Sequence, residues 1–326
     1  MTCDVVCLRP EADFVRAGVI PPATLKIAYR AHDDADTPAL VATARGVVMA
    51  AMGPKLPGSL FEKSAAKIVQ ITGAGVDRLD EAVLKRRGIA VCNVPGGSNA
   101  AVADYAVTTA SVLLRRFAWA DREIRAGNYA PFRGRMIADN LAGLDGLTVG
   151  VVGLGTIGLA VARAYHQRGC TIIYFDPAPR DKAAADALGA KAVTLDELLR
   201  RSDVVSLHVP LLPATRGMIG DSQLALMKPG AVLIQASRGG VVDEAALAQH
   251  LSSGHLGGAA VDVYSQEPPG ADNPLLALTG DGANRLLFTP HVGGVTRQAS
   301  AVLFQTAWDN VEAVLMKGAQ PINRVY

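Results

Sequence analysis

Short apolar runs recur along this chain, separated by longer stretches with helical periodicity. In the first hundred residues the runs 5–8, 26–29, 46–49, 68–71 and 90–93 read as strands. Between them, 10–17, 38–44 and 79–87 read as helices. Pro95-Gly96-Gly97-Ser98 breaks the pattern, and one long helix is expected over 99–126, ended near Gly127. Alternation resumes with strands at 147–152, 171–175, 192–193, 204–209, 231–235, 258–263 and 286–288. Helices are expected through Leu159 to Ala164 and over 196–200, 220–227 and 243–252, with a last one at 298–317. Strands alternating with helices on this scale imply α/β architecture with doubly wound parallel sheets. Two Rossmann-like or flavodoxin-like domains follow, with a cleft between them. Residues 1–98 with 297–326 form one, and 99–296 the other. The last helix crosses back to the first.

The first chemical signal is Gly153-Leu154-Gly155-Thr156-Ile157-Gly158, between an apolar strand and a helix. That context makes it the dinucleotide fingerprint. Its glycines permit a tight turn and close approach of backbone to a pyrophosphate, and the helix start offers free N–H groups. Asp176 ends the next strand, 18 residues past Gly158. A carboxylate there accepts from ribose hydroxyls and repels a 2′-phosphate, which favours NAD over NADP. Arg180 keeps the NADP reading open if its loop folds back.

Three polar groups each follow a later strand: Arg238, Glu267 after Asp262, and His291. Ligands in such sheets sit beyond the carboxyl ends of strands. Taken singly, each has a plain alternative: an interdomain salt bridge, a solvated glutamate, a packed histidine. Together they match what hydride transfer to a ketone needs. Histidine serves as proton donor, a carboxylate fixes its ring, and a cationic fork holds the substrate.

Those residues lie in motifs that resemble the D-isomer-specific 2-hydroxyacid dehydrogenase family over nearly the whole chain. The motifs are Val149 to Gly158, His208-Val209-Pro210-Leu211 with Thr215-Arg216-Gly217, Met227-Lys228-Pro229-Gly230, Ser237-Arg238-Gly239-Gly240-Val241-Val242-Asp243-Glu244, Asp262-Val263 with Glu267-Pro268, and Thr289-Pro290-His291-Val292-Gly293-Gly294. The resemblance implies Arg238 as substrate clamp, His291 as acid/base and Glu267 as its partner. It implies that Asp262 receives the nicotinamide amide and that backbone at Thr156 and Ile157 holds the pyrophosphate. Val209, Pro210, Ala236 and Gly294 would line the cofactor site, to which Val102, His208, Thr215 and Ser237 are also assigned. The turn Gly73-Ala74-Gly75-Val76-Asp77 would receive the substrate carboxylate. A plain turn is the alternative there. The loop Met49-Ala50-Ala51-Met52-Gly53-Pro54 would line the side-chain pocket, Met52 foremost.

Two relatives fit less well. Formate dehydrogenases of the family carry glutamine in place of Glu267, and phosphite dehydrogenases lysine in place of Ala74. Asp104 and Ala236 depart from the usual glutamate and asparagine or threonine. The implied activity is NAD-dependent hydride transfer to small 2-oxo acids of the hydroxypyruvate or glyoxylate type. Phosphoglycerate oxidation on the same site and a non-enzymatic NAD-sensing module are the alternatives. A homodimer is expected through 99–126 and 128–141.

Composition narrows the rest. The 326 residues carry a formal net charge of +2, which gives no case for nucleic acid or an anionic membrane. No apolar stretch reaches membrane-spanning length, and residues 1–30 lack the pattern of a secretion signal. The four cysteines are scattered, so reduced thiols in the cytoplasm, and no metal site, are expected.

Overall fold

The structure is a computed structural model that describes residues 3–178 and 180–326. Met1 and Thr2, where the reading of the N-terminus began, lie outside the described residues. The chain divides into two compact units, Met1–Ser98 with Val295–Tyr326, and Asn99–Gly294.

The first unit is built on β1 (Val5–Cys7), β2 (Ile27–Tyr29), β3 (Gly46–Met49), β4 (Ile68–Ile71) and β5 (Ala90–Cys92). They form one parallel sheet in the order β2-β1-β3-β4-β5, the flavodoxin-like arrangement. Val6 stands opposite Ala28 on one side and Val47 on the other. Every residue of β1, β3, β4 and β5 is buried. A parallel strand covered on both faces needs a continuous apolar run, and these sequences supply one. The exception is Gln70 inside β4, fully buried, whose Oε1 accepts from Asn310 Nδ2 at 2.7 Å. Asn310 lies on the helix Arg297–Lys317, which returns to this sheet and sets Phe304, Trp308, Val311 and Leu315 against Val5, Cys7 and Ile68.

The second unit holds seven parallel strands: β6 (Thr148–Val152), β7 (Thr171–Phe175), β8 (Lys191–Ala192), β9 (Val204–Leu207), β10 (Val232–Gln235), β11 (Gly258–Val261) and β12 (Leu286–Phe288). Their order is β12-β11-β10-β9-β6-β7-β8. The order reverses between β6 and β9, the point where open sheets of this kind leave a crevice for a ligand. Several strands are a residue or two shorter than the apolar runs suggested, and two of these matter for the site. β9 stops at Leu207 and β11 at Val261, so His208 and Asp262 stand just past strand ends.

One expected element is two. The helix expected over 99–126 breaks after Leu114, and a second helix, Phe117–Arg125, follows. Arg116 adopts left-handed backbone, φ 51°, and its guanidinium pairs with Asp139 and lies over the Trp119 ring. The break lets Trp119 pack on Phe132, ring centroids 5.5 Å apart, so that Trp119 is buried. No glycine or proline marks the spot.

Candidate active site

The glycine turn sits at the carboxyl end of β6. Gly153 takes φ +91°, and a Cβ there would lie 2.5 Å from the carbonyl oxygen of His208 at the end of β9. A Cβ on Gly158 would lie 1.9 Å from the Gly153 oxygen, so the helix Thr156–His166 packs onto the turn only with glycine. At Gly155 the same atom meets nothing within 4 Å, and the space beside this backbone is open.

Some helices here have side-chain caps: Asp80, Asp181, Thr194, Asp243 and Thr296 each accept from a backbone N–H. Gly155 has no side chain to offer, and no side-chain cap meets this helix start. Its first amides stay available to an anion. His208 adds a second open valence. Its Nε2 pairs with Ser206 Oγ at 2.8 Å, while Nδ1 is enclosed without a partner among the described residues. Burial lowers the ring to about 3, so it stays neutral. An uncapped helix start, open space at Gly155 and an orphaned nitrogen fit a bound dinucleotide.

Asp176 is more engaged than expected. Its Oδ2 accepts from Leu154 N at 2.8 Å and Arg180 Nε at 2.6 Å, and Oδ1 accepts from Ala178 N at 2.9 Å. Burial works against the charge, but Arg180 and the two amides outweigh it and hold the carboxyl below its ordinary value. Asp176 thus pins the middle of the glycine turn, and Arg180 rests on it.

The polar groups after β10, β11 and β12 come from neighbouring strands. His291 Nδ1 pairs with Glu267 Oε2 at 2.8 Å. A carboxylate only accepts, so Nδ1 carries the hydrogen and Nε2 remains for chemistry. The His291 side chain is 26% exposed, within reach of a ligand. Burial would raise Glu267, but the bond and charge of His291, the Tyr264 amide and the Arg238 charge prevail and hold it below its ordinary value.

Gly239 explains how Arg238 reaches this ring of groups. A Cβ at Gly239 would stand 1.7 Å from the Tyr264 oxygen, so only glycine lets the loop after β10 lie against the loop after β11. Gln235 holds the bend by accepting from Ser237 Oγ at 2.8 Å and donating to the Arg238 carbonyl at 2.9 Å. Glu244 secures the other side, accepting from Ser265 N at 2.6 Å and Asn273 Nδ2 at 2.7 Å.

His291 has φ +55°, rare for a residue with a side chain. Asp262 explains it. Its backbone oxygen accepts from His291 N at 2.9 Å, and its carboxylate from Val292 N and Gly293 N, each at 2.8 Å. Thr289 Oγ1 donates to Asp262 Oδ1 at 2.6 Å, so the Tyr105 hydroxyl, 2.8 Å away, must donate to Thr289. Sequence reasoning missed Tyr105, Thr289 as a donor, Gln235 and Glu244. Only Gln235 left a trace, a polar residue closing an apolar strand.

Thr289→Val removes one donor from a buried carboxylate. Stability is expected to fall by about 1.5–3 kcal/mol, read from urea unfolding; an unchanged midpoint would exclude this network as a support of the loop.

Other assigned residues have visible local roles. Thr215 Oγ1 donates to the Pro210 oxygen at 2.6 Å and accepts from Leu212 N at 2.8 Å, closing its loop. Val102 is 6% exposed in the core of the second unit and offers a ligand little surface. Val209, Ala236 and Gly294 are half-buried and Pro210 is exposed. In the first unit, Met52 is 41% exposed. Gly73 and Ala74 give their carbonyls to Val94 N and Asn93 Nδ2. Among the described residues the amides of Gly73, Ala74, Gly75 and Val76 have no backbone acceptor.

Fold and site define a class, and comparison with known proteins agrees. Residues 107–293 match the model of the D-isomer specific 2-hydroxyacid dehydrogenase NAD-binding domain. The chain belongs to that family, and its second unit is the NAD-binding part. It is 38% identical over 233 residues to D-3-phosphoglycerate dehydrogenase of Archaeoglobus fulgidus, across 72% of this chain and 42% of the relative. The chain therefore spans less than half of that protein's length. Glycerate dehydrogenase of Methylorubrum extorquens is 34% identical over 289 residues, 87% of this chain and 88% of that one. The apo structure of Rhodotorula graminis D-mandelate dehydrogenase superposes with a TM-score of 0.82 at 26% identity, covering 99% and 97% of the two chains.

Proposed function

We propose that the protein transfers hydride between NAD(H) and the 2-carbon of small 2-hydroxy and 2-oxo acids, with D stereospecificity. The observation that carries this reading is the His291–Glu267 pair, 2.8 Å long and under the charge of Arg238, past the carboxyl ends of strands in the same parallel sheet as the fingerprint turn. NADH, when bound, supplies the hydride. Backbone amides of Thr156 and Ile157 would hold the pyrophosphate, and the remaining capacity of Asp262 would serve the nicotinamide amide; Asp176 favours NADH over NADPH, with part of its charge offset by Arg180, folded back onto it at 2.6 Å. His291 Nε2 gives a proton to the carbonyl oxygen during reduction, while Glu267 keeps the ring oriented. Arg238 binds the substrate and polarises its carbonyl, and the amides of Gly73, Ala74 and Gly75 receive the carboxylate.

Glyoxylate and hydroxypyruvate are the substrates we favour, supported by the likeness to the Methylorubrum glycerate dehydrogenase, while exposed Met52 offers no charge to pair with a charged side chain. Phosphoglycerate oxidation is the second reading, supported by the likeness to the Archaeoglobus enzyme. An absorbance assay of NADH and NADPH with a panel of 2-oxo acids, run in reverse with phosphoglycerate and NAD, decides between them.

Glu267 gives the reading a pH signature. Its folded value lies below the ordinary 4.5. Its charged contacts therefore stabilise the fold fully above that value, and the contribution is lost as pH falls through the depressed one. The stability gap between wild type and Glu267→Gln, read from urea unfolding at a series of pH values, is expected to close as pH falls through that range. The same variant should lower kcat, since Nδ1 loses the carboxylate that orients the ring. An unchanged kcat counts against the pairing.

We infer a homodimer through the helices Phe117–Arg125 and Tyr129–Ala138, which expose Phe117, Ile124, Tyr129 and Ile137. Light scattering that gives a monomer mass at micromolar concentration would refute it. No described helix is long and apolar enough to cross a membrane. The four free cysteines support a reducing, cytoplasmic setting.

A further inference from the structure

Arg78 follows the Gly73–Asp77 turn, and its side chain is buried, with 8% of the residue exposed. Among the described residues no carboxylate lies within ion-pair distance of it. Burial alone acts on its charge and lowers its affinity for the proton. A buried cation without a counter-charge is costly unless its hydrogen bonds are well placed.

The partners of this guanidinium all belong to one segment. Nε donates to the Pro54 oxygen at 2.8 Å and Nη1 to the Ala50 oxygen at 2.9 Å. The Arg78 carbonyl accepts from Leu56 N at 2.8 Å. Three bonds from one residue thus fix both ends and the exit of the loop that carries Met52. Gly53, at the centre, takes φ +115°, and a Cβ there would stand 3.2 Å from Arg78 Cζ. Gly53 thus sits directly against the guanidinium. In the same loop Ala51 abuts the glycine turn so closely that a Cβ on Gly73 would come within 2.8 Å of the Ala51 Cβ.

We propose that Arg78 is a positioning residue that holds the loop from Ala50 to Leu56 in one conformation and thereby sets which 2-oxo acid side chains are accepted. This rests on the reading that Met52 and the Gly73 turn face the substrate. A planar fork spans two carbonyls four residues apart; a lysine ammonium is a point charge and does not reproduce that span. A fixed wall discriminates between side chains, whereas a loose one yields to them. Glyoxylate, with only hydrogen on its 2-carbon, gains nothing from the wall and serves as the internal reference.

Two variants test this, each with two readouts. Arg78→Lys removes the second bond of the fork. Gly53→Ala presses a methyl against the guanidinium and puts a side chain at φ +115°, with the charge retained, and it carries the test if Arg78→Lys does not fold. Hydrogen exchange at the amides of residues 50–56 is expected to rise by about tenfold, with exchange in the second unit unchanged. The ratio of kcat/KM for hydroxypyruvate over glyoxylate is expected to fall by about tenfold, carried by KM. Unchanged exchange overturns the strut. Faster exchange with an unchanged ratio, or equal loss on both substrates, overturns the specificity role. Wild-type protein that reduces no 2-oxo acid overturns the underlying reading and the specificity role with it, and exchange alone then decides whether Arg78 holds the loop.

Discussion

His291→Ala is expected to lower kcat for 2-oxo acid reduction by roughly 100- to 10,000-fold, the usual worth of a general acid. Affinity for NADH should stay near the wild-type value, because the fingerprint turn is built from Gly153, Gly155 and Gly158 after β6, not from the loop after β12. The loop itself should persist. Asp262 binds the backbone N–H groups of His291, Val292 and Gly293, and none of these bonds uses the imidazole. Stopped-flow kinetics with NADH titration separates the two quantities. Wild-type kcat/KM in this variant would remove His291 from the proton-transfer role.

Arg238→Ala should produce a loss of comparable size by another route. A guanidinium that binds the substrate and polarises its carbonyl acts on both ground and transition states, so KM rises as kcat falls. The expected drop in kcat is about 100- to 1,000-fold, the scale seen when one donor to a developing oxyanion is removed. Arg238→Lys keeps the charge and loses the fork, and should recover only part of the activity. Full recovery would show that charge alone suffices. An unchanged KM in the alanine variant would contradict a clamp.

Residues whose constraint is local could be read in advance. The fingerprint was visible because Gly153 and Gly158 meet backbone a few residues away, or at a switch point that the strand–helix alternation already implied. Arg238, Glu267 and His291 could be expected together because each follows an apolar strand, and the geometry of parallel sheets sends such residues to one edge. The supporting network was hidden for the opposite reason. Tyr105 and Thr289 are far apart in sequence, and a tyrosine on an apolar helix looks like core until its partner is known. The break after Leu114 escaped because its cause is tertiary: Arg116 is held by Asp139 and Trp119 by Phe132. Asp176 was found by spacing, but its grip on Leu154 N and Arg180 depends on how two loops meet. Nothing in the sequence around Arg78 marks it, and only the fold shows that it sits against Gly53.

The central claim is that this site moves hydride to the 2-carbon of a 2-oxo acid. The most direct measurement incubates wild-type protein with NADH and either glyoxylate or hydroxypyruvate, follows NADH absorbance, and resolves the chiral product of hydroxypyruvate. NADH consumption that depends on the 2-oxo acid, with D-glycerate as the product, is the expected result. NADH loss indifferent to the 2-oxo acid, no loss at all, or the L product would contradict the account.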